Sequence, residues 1–535
     1  MKRRSRILIL TLAFVLMLPQ LAGAVNDGTD SVYTYNFDYW GEMMESPDAY
    51  RVEETVTSAS LGLEVPMNAP QSLYVDGETL YVVDRGNNRI LELARKDGRF
   101  SLVRIIDRVR GAEPETFNYP NDIAADQDGN LYVADTNNNR VVVMDRDLNY
   151  LKSFVKPTDT TFDQSSDFLP NKLVVDSAGR VFINATNVNK GLVKYEADGT
   201  FAGFIGANKV TYNLWDYIWK NFLSTKEQRA QQAAFVPTEY KNIYIDRDGF
   251  IYATNINFNE SELLGDAAHP IRRLNSLGND ILIKNDRYPP IGDLYWTEGL
   301  QANDYHGPSK LFDITVLEDD VYAAVDRMRG RVFGYDSQGI MLWAFGTRGS
   351  MEGSFNGAVS IEHIGTDLIV LDEFAARIAV FRTTEYGQMI YRANAQYTRG
   401  DYEGSAETWK EVQKLNANYP LAYIGIGRAL MRQDDFIGAM DNFKKAHSRV
   451  NYSKAYRYYR QEWMEQNIWW VAVILLVLVI LLISRAVIRK TKWEVSEHDR
   501  RKALSRHGAE RRPGCRIQPL SGLAEIRAVR DYPSL

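Results

Sequence analysis

Tyr132-Val133-Ala134-Asp135-Thr136-Asn137-Asn138-Asn139-Arg140-Val141-Val142 joins two apolar runs across a polar turn, an aspartate ending the first run and an arginine starting the second. The arrangement returns at Tyr81-Val82-Val83-Asp84 with Arg89-Ile90-Leu91, at Asp326 with Arg331, and at Ile369-Val370-Leu371-Asp372 with Arg377-Ile378-Ala379. A unit repeated in this way sets the architecture of a chain, because one small sheet cannot cover both of its own faces.

Working outward, each unit opens with a short apolar strand and an Asp-rich turn: Asp126-Gln127-Asp128-Gly129, Asp176-Ser177-Ala178-Gly179 and Asp246-Arg247-Asp248-Gly249. Gly, Asn and Asp at such turns supply positive φ or local side-chain hydrogen bonds, so the units read as antiparallel meanders. Six can be counted, at residues 72–106, 122–155, 172–205, 242–283, 313–345 and 359–382. The spacing from Asp126 to Asp176 is 50 residues and from Asp176 to Asp246 is 70, which places an insertion before the fourth unit. Units three and four lack the Asp and Arg signature.

A ring of such sheets buries every face against a neighbour, which predicts a mainly β fold, a six-bladed propeller over residues 50–382. The last unit lacks a fourth strand, and Tyr50–Thr57 alternates like a strand with no partner of its own. That segment is expected to complete the sixth blade. The motifs resemble NHL repeats, a family of six-bladed propellers, most strongly in units one, two, five and six. The pairs Asp84/Arg89, Asp135/Arg140, Asp326/Arg331 and Asp372/Arg377 are expected to fix the hairpins structurally.

Beyond Phe381 the period changes. Gly400-Asp401-Tyr402, Gly404, Ala406 and Trp409 are matched 34 residues later by Asp434-Asp435-Phe436, Gly438, Met440 and Phe443. This period, with Pro420 between the units, resembles tetratricopeptide repeats and implies α-helical hairpins over residues 388–466. Two units are short for a deep peptide groove, so a spacer role stands beside peptide binding.

Two uncharged segments divide the chain further. Lys2, Arg3, Arg4 and Arg6 precede Ile7–Leu18 and Ala22-Gly23-Ala24, the pattern of a signal peptide over residues 1–24. Ile468–Ser484 holds 17 residues without a charge, opens with Trp469 and Trp470, and is followed by Arg485 and Arg489. It reads as one transmembrane helix over residues 467–488. Residues 485–535 carry 13 Lys/Arg against 6 Asp/Glu, so the preceding region carries −13 of the net −6. Basic residues on the carboxyl side place the tail, residues 489–535, in the cytoplasm and the large amino-terminal region outside. The acidic outer region argues against nucleic acid. The one cysteine, Cys515, lies in the tail, so no disulfide staples the exterior.

Catalytic signatures are sparse: no phosphate loop, HExxH or GxSxG occurs, and His269, His306, His363 and His447 are scattered. Pro120-Asn121-Asp122 and Pro170-Asn171-Lys172, with Pro308-Ser309-Lys310, stand where inner strands begin and should face one mouth of the channel. This is similar to gluconolactonase-like propellers, whose channel holds a divalent metal on oxygen ligands. The resemblance implies Ca²⁺ or Mg²⁺ at Asn121, Asp122 and Asn171. No convincing glutamate ligand or acid/base partner accompanies them, and Asn or Asp after Pro also caps turns. Trp215, Trp219 and Phe222, at helical spacing in an insertion, and Trp296 in another form a candidate interaction surface, with packing on the parent domain as the alternative reading.

The sequence thus points to a membrane-anchored extracytoplasmic platform for a protein or glycan, accessory to a cell-envelope transport or assembly system. The alternatives are a metal-dependent lactonase or hydrolase at the channel mouth, and an anchor with no ligand.

Overall fold

Along Thr79–Asp84 successive side chains leave opposite faces of one sheet: Leu80 and Val82 enter one apolar cluster, Tyr81 and Val83 another. The period-2 alternation of a strand does this wherever both faces are covered. The same division holds in Leu131–Asp135, where Leu131 and Val133 face one neighbour and Tyr132 and Ala134 the other. It holds again in Asp367–Asp372. Six such clusters occupy the six interfaces between consecutive sheets, so the ring closes.

This computed structural model describes residues 34–37, 43–165, 167–186, 188, 190–206, 240–258, 263, 269–284, 290–293 and 308–508. The expected signal peptide, the tail beyond 508 and the aromatic insertions with Trp215, Trp219, Phe222 and Trp296 lie outside them. Blade one is Ser72–Ile106, blade two Pro120–Val155, blade three Leu169–Ile205, blade four Asn242–Leu274, blade five Leu311–Phe345 and blade six Ala358–Thr383. Each is an antiparallel meander, of three described strands in blade four.

Tyr50–Thr57 pairs with Arg377–Thr383 as the outer strand of blade six, Val56 opposite Ile378 and Tyr50 opposite Thr383. The expected closure is present. The chain's beginning does more than the sequence showed. Thr34–Phe37 pairs with the outer strand of blade five and with Met43–Glu45, giving that blade six strands.

Four helices follow: α1 (Glu385–Thr398), α2 (Tyr402–Leu415), α3 (Pro420–Arg432) and α4 (Phe436–Lys445). Two of their amino-terminal caps, 34 residues apart, are alike. Asp401 accepts from the Gly404 N–H and Asp435 from the Gly438 N–H, both at 2.9 Å. Gly425 and Gly427 of α3 lie against Trp409 and Phe443, where a Cβ would stand 2.4 and 2.6 Å from the rings. Tyr386, Ile390, Trp409 and Tyr419 share one core with Trp343, Phe345 and Phe381, so these helices are packed onto blades five and six. Arg428 reaches Asp336 at 3.4 Å and Arg399 reaches Asp319 at 3.1 Å across the same contact.

A last helix, α5, runs from Arg449 to Gly508. Residues from Arg457 onward form a second unit, in which Leu475, Leu476 and Leu482 are 57%, 60% and 66% exposed. Among the described residues, one helix is long and apolar enough to cross a bilayer.

Candidate functional site

The signature aspartates and arginines hold loops. Asp135 is fully buried and accepts from Arg140 Nε at 2.9 Å, Asn138 Nδ2 at 2.8 Å and the Asn118 N–H at 2.7 Å. Arg140 donates its remaining N–H groups to the carbonyls of Glu113 and Pro114, at 3.1 and 2.6 Å. The pair thus ties the strand-to-strand turn to the loop arriving from the previous blade. Asp84 and Arg89 repeat this, 2.7 Å apart, with the Asn68 N–H and the Val65 carbonyl as loop partners.

In blades five and six the spacing survives but the pair does not. Arg331 turns to Asp293, leaving Asp326 to accept from the Met328 N–H at 2.8 Å. Burial pushes the Asp326 carboxyl up to about 6. Arg377 grips the carbonyls of Ser350, Met351 and Ser354, while Asp372 accepts from the Asn356 N–H at 2.7 Å and the Gly357 N–H at 3.1 Å. Loop clamping is common to blades one, two and six, and direct pairing is confined to one and two.

At the channel, the six inner strands place Ser72, Asp122, Lys172, Asn242, Asp313 and Ser360 at equivalent registers, each one step before the signature position of the second strand. All six are buried. Lys172 donates to Ser72 Oγ at 2.8 Å and lies 3.5 Å from Asp122, which accepts from Ser72 Oγ at 2.6 Å and from the Leu173 N–H at 2.8 Å. Asp313 accepts from Asn242, from Ser360 Oγ at 2.6 Å and from the Ile361 N–H at 2.8 Å. Ser360 Oγ accepts from the Leu73 N–H at 3.1 Å, so hydrogen bonds pass from blade six back to blade one. This belt ties the blades together at the axis.

On one side of the belt is a cavity of about 260 Å³ lined by Tyr74, Tyr244, Glu362 and His363 among others. Burial, reinforced by Asp313, pushes the Glu362 carboxyl well above its ordinary range. Burial pushes the His363 imidazole down to about 4. The Thr315 hydroxyl lies 2.7 Å from His363 Nδ1 and 3.3 Å from Glu362 Oε2. Neither Glu362 nor His363 has a motif around it, so the sequence alone shows His363 only as one of several scattered histidines and does not single out Glu362.

On the other side is the mouth where inner strands begin. Asn121 does not join Asp122 there. A β-bulge between Pro120 and Asp122 separates them: Asn121 donates to Thr136 Oγ1 at 2.8 Å and accepts from Arg85 at 3.3 Å. Asn171 sits at the matching bulge of blade three, with no side-chain hydrogen bond among the described residues. Ser309 accepts from the Asp293 N–H at 3.0 Å, and Lys310 donates to the carbonyls of Ile256 and Phe258. Asn121, Asp122 and Asn171 do not fit Ca²⁺ or Mg²⁺: both Asp122 oxygens are engaged and the Lys172 ammonium stands beside them. No cluster of three or more His, Cys, Asp or Glu suited to a metal occurs among the described residues.

Around that mouth Arg85 and Arg327 share Glu373, each 2.7 Å from one of its oxygens. Phe374 is 68% exposed beside Arg327, and Tyr119 is 40% exposed beneath Arg85. These aromatic and basic side chains come from three blades.

Residues 117–144, the inner part of blade two, match the NHL repeat family. No curated protein matches the chain. Among solved structures, virginiamycin B lyase from Staphylococcus aureus is 12% identical, covering 65% of this chain and 87% of its own, with a TM-score of 0.36. A putative gluconolactonase is 10% identical, with coverage of 63% and 94% and a TM-score of 0.37. An auxiliary nutrient binding protein from Bacteroides ovatus is 11% identical, with coverage of 66% and 76% and a TM-score of 0.37.

Proposed function

We propose that this is a single-pass membrane protein whose propeller lies outside the cytoplasm and serves as a binding platform for a protein or glycan partner. In this reading the helical hairpins are tetratricopeptide-like and act as a spacer, and the protein is accessory to a cell-envelope transport or assembly system. The observation that carries the anchoring is the bare apolar stretch of α5, which water would not tolerate and a bilayer would cover. The platform reading is supported by the exposed Phe374 and Tyr119 at the channel mouth, since exposed aromatics beside cations are the common currency of recognition surfaces. The lactonase reading is not favoured, because the two belt carboxylates, Asp122 and Asp313, are committed to Ser72, Ser360 and backbone N–H groups, with Lys172 beside Asp122.

A photo-crosslinking amino acid in place of Phe374, in the full-length chain in intact cells, tests the platform. It is expected to yield one reproducible adduct that is absent when the probe replaces Ile437, an exposed residue of α4. Failure to form any adduct specific to position 374 would leave the mouth without a partner and count against the reading.

A further inference from the structure

Residues just before the belt and just after the signature aspartates converge on the mouth. Three of them are cations, Arg85, Lys241 and Arg327, and one is an anion, Glu373, whose two oxygens are taken by the arginines. Lys241 is half-buried and makes no side-chain hydrogen bond among the described residues; the carboxylate acting on it is Glu373, whose two oxygens the arginines already hold, and its ammonium rests 4.8 Å from the centre of the Phe312 ring. Arg327 lies 5.0 Å from the same ring. Arg85 Nε is buried with no acceptor. Burial, followed by repulsion from Lys172, Arg327 and Arg85, pushes the Lys241 amine down to about 8. Unneutralised donors crowded at a partly desolvated opening cost free energy unless an acceptor arrives to take them.

We propose that this mouth is an anion-binding site, in which Lys241, Arg85 and Arg327 receive a phosphate or carboxylate group of a small ligand or of the partner's surface. The charge at the mouth is +2, which fits a dianion. Phe312 and Phe374 flank it with apolar area that an uncharged remainder of the ligand can cover. The site rests on the platform reading and names the chemistry that the platform recognises. Its test uses purified protein, so it can fail while a crosslinked partner is still found, and the converse.

The test is titration of the full-length chain in detergent with inorganic phosphate, and separately with succinate, at constant ionic strength held by chloride. Saturable binding is expected for at least one, with a Kd on the order of 1 mM or tighter. The stronger of the two identifies the group. Lys241→Met is expected to weaken it about tenfold, and to raise the melting temperature without anion, because a repelled cation has been removed. Binding should also fade as pH rises through about 8, where Lys241 loses its proton. As a reading independent of the variant, amine labelling of Lys241 should be slowed by the anion. Equal response of wild type and Lys241→Met, or no saturable response to either anion beyond that of chloride, would overturn the proposal.

Discussion

Val56→Asp is expected to unfold the propeller. Val56 is fully buried in the cluster between blades six and one, on the strand that closes the ring. A carboxylate there has no partner, at a cost of roughly 4 kcal/mol or more, comparable with the whole stability of many domains. Loss of the strand would also bare the edge of Arg377–Thr383 and remove Tyr50 from its contacts with Trp343 and Phe345, at ring distances of 4.8 and 5.1 Å. The exposed edge should promote aggregation. Glu53→Ala, on the outward face of the same strand and paired at 3.0 Å with Arg382, should change stability by less than about 1 kcal/mol. Thermal unfolding and protease resistance of the two variants measure the difference. Equal stability would mean that the amino-terminal strand is an accessory to a ring already closed.

Arg140→Met should be nearly as damaging. It leaves Asp135 buried without its cation and strips the carbonyls of Glu113 and Pro114 of their donors, a loss of about 3–5 kcal/mol. Asp135→Asn with Arg140→Met should cost less than the sum of the two singles by about 1–3 kcal/mol, because the residues touch. The same cycle on Asp326 and Arg331 should show coupling below about 0.5 kcal/mol, since Arg331 binds Asp293 instead. Chemical denaturation of the seven proteins, the wild type with four single and two double variants, would measure both couplings. A large coupling in blade five would contradict the contacts described.

That contrast shows where sequence reading works and where it stops. Alternation in Tyr81–Asp84 or Leu131–Asp135 is set by the pleat itself, so the six sheets and their order are legible from a single chain. The closing strand is legible because a four-stranded unit visibly lacks a member. Pairing of Asp with Arg five residues on is legible only when nothing else competes. In blade five Asp293, 38 residues upstream of Arg331, takes the arginine, and no local spacing encodes that.

The belt is hidden for the opposite reason. Ser72, Asp122, Lys172, Asn242, Asp313 and Ser360 occupy one structural position, yet they are of four different types because each must complement its neighbours. A search for similarity among repeats passes over complementarity. Asn121 and Asp122 look like a matched pair of ligands in the chain, but the bulge after Pro120 sends them to different partners. The short pairing of Thr34–Phe37 with blade five has too few residues to show a period, and it is decided by the free edge of Met341–Phe345.

The proposed topology, a propeller outside the cytoplasm held by one helix, can be tested through the chain's single cysteine. An impermeant maleimide should leave Cys515 unlabelled in right-side-out membrane vesicles and label it in inverted ones. In a Cys515→Ser background, Ser101→Cys, exposed on the outer strand of blade one, should show the reverse. Labelling of both cysteines from the same side of the membrane would contradict the account.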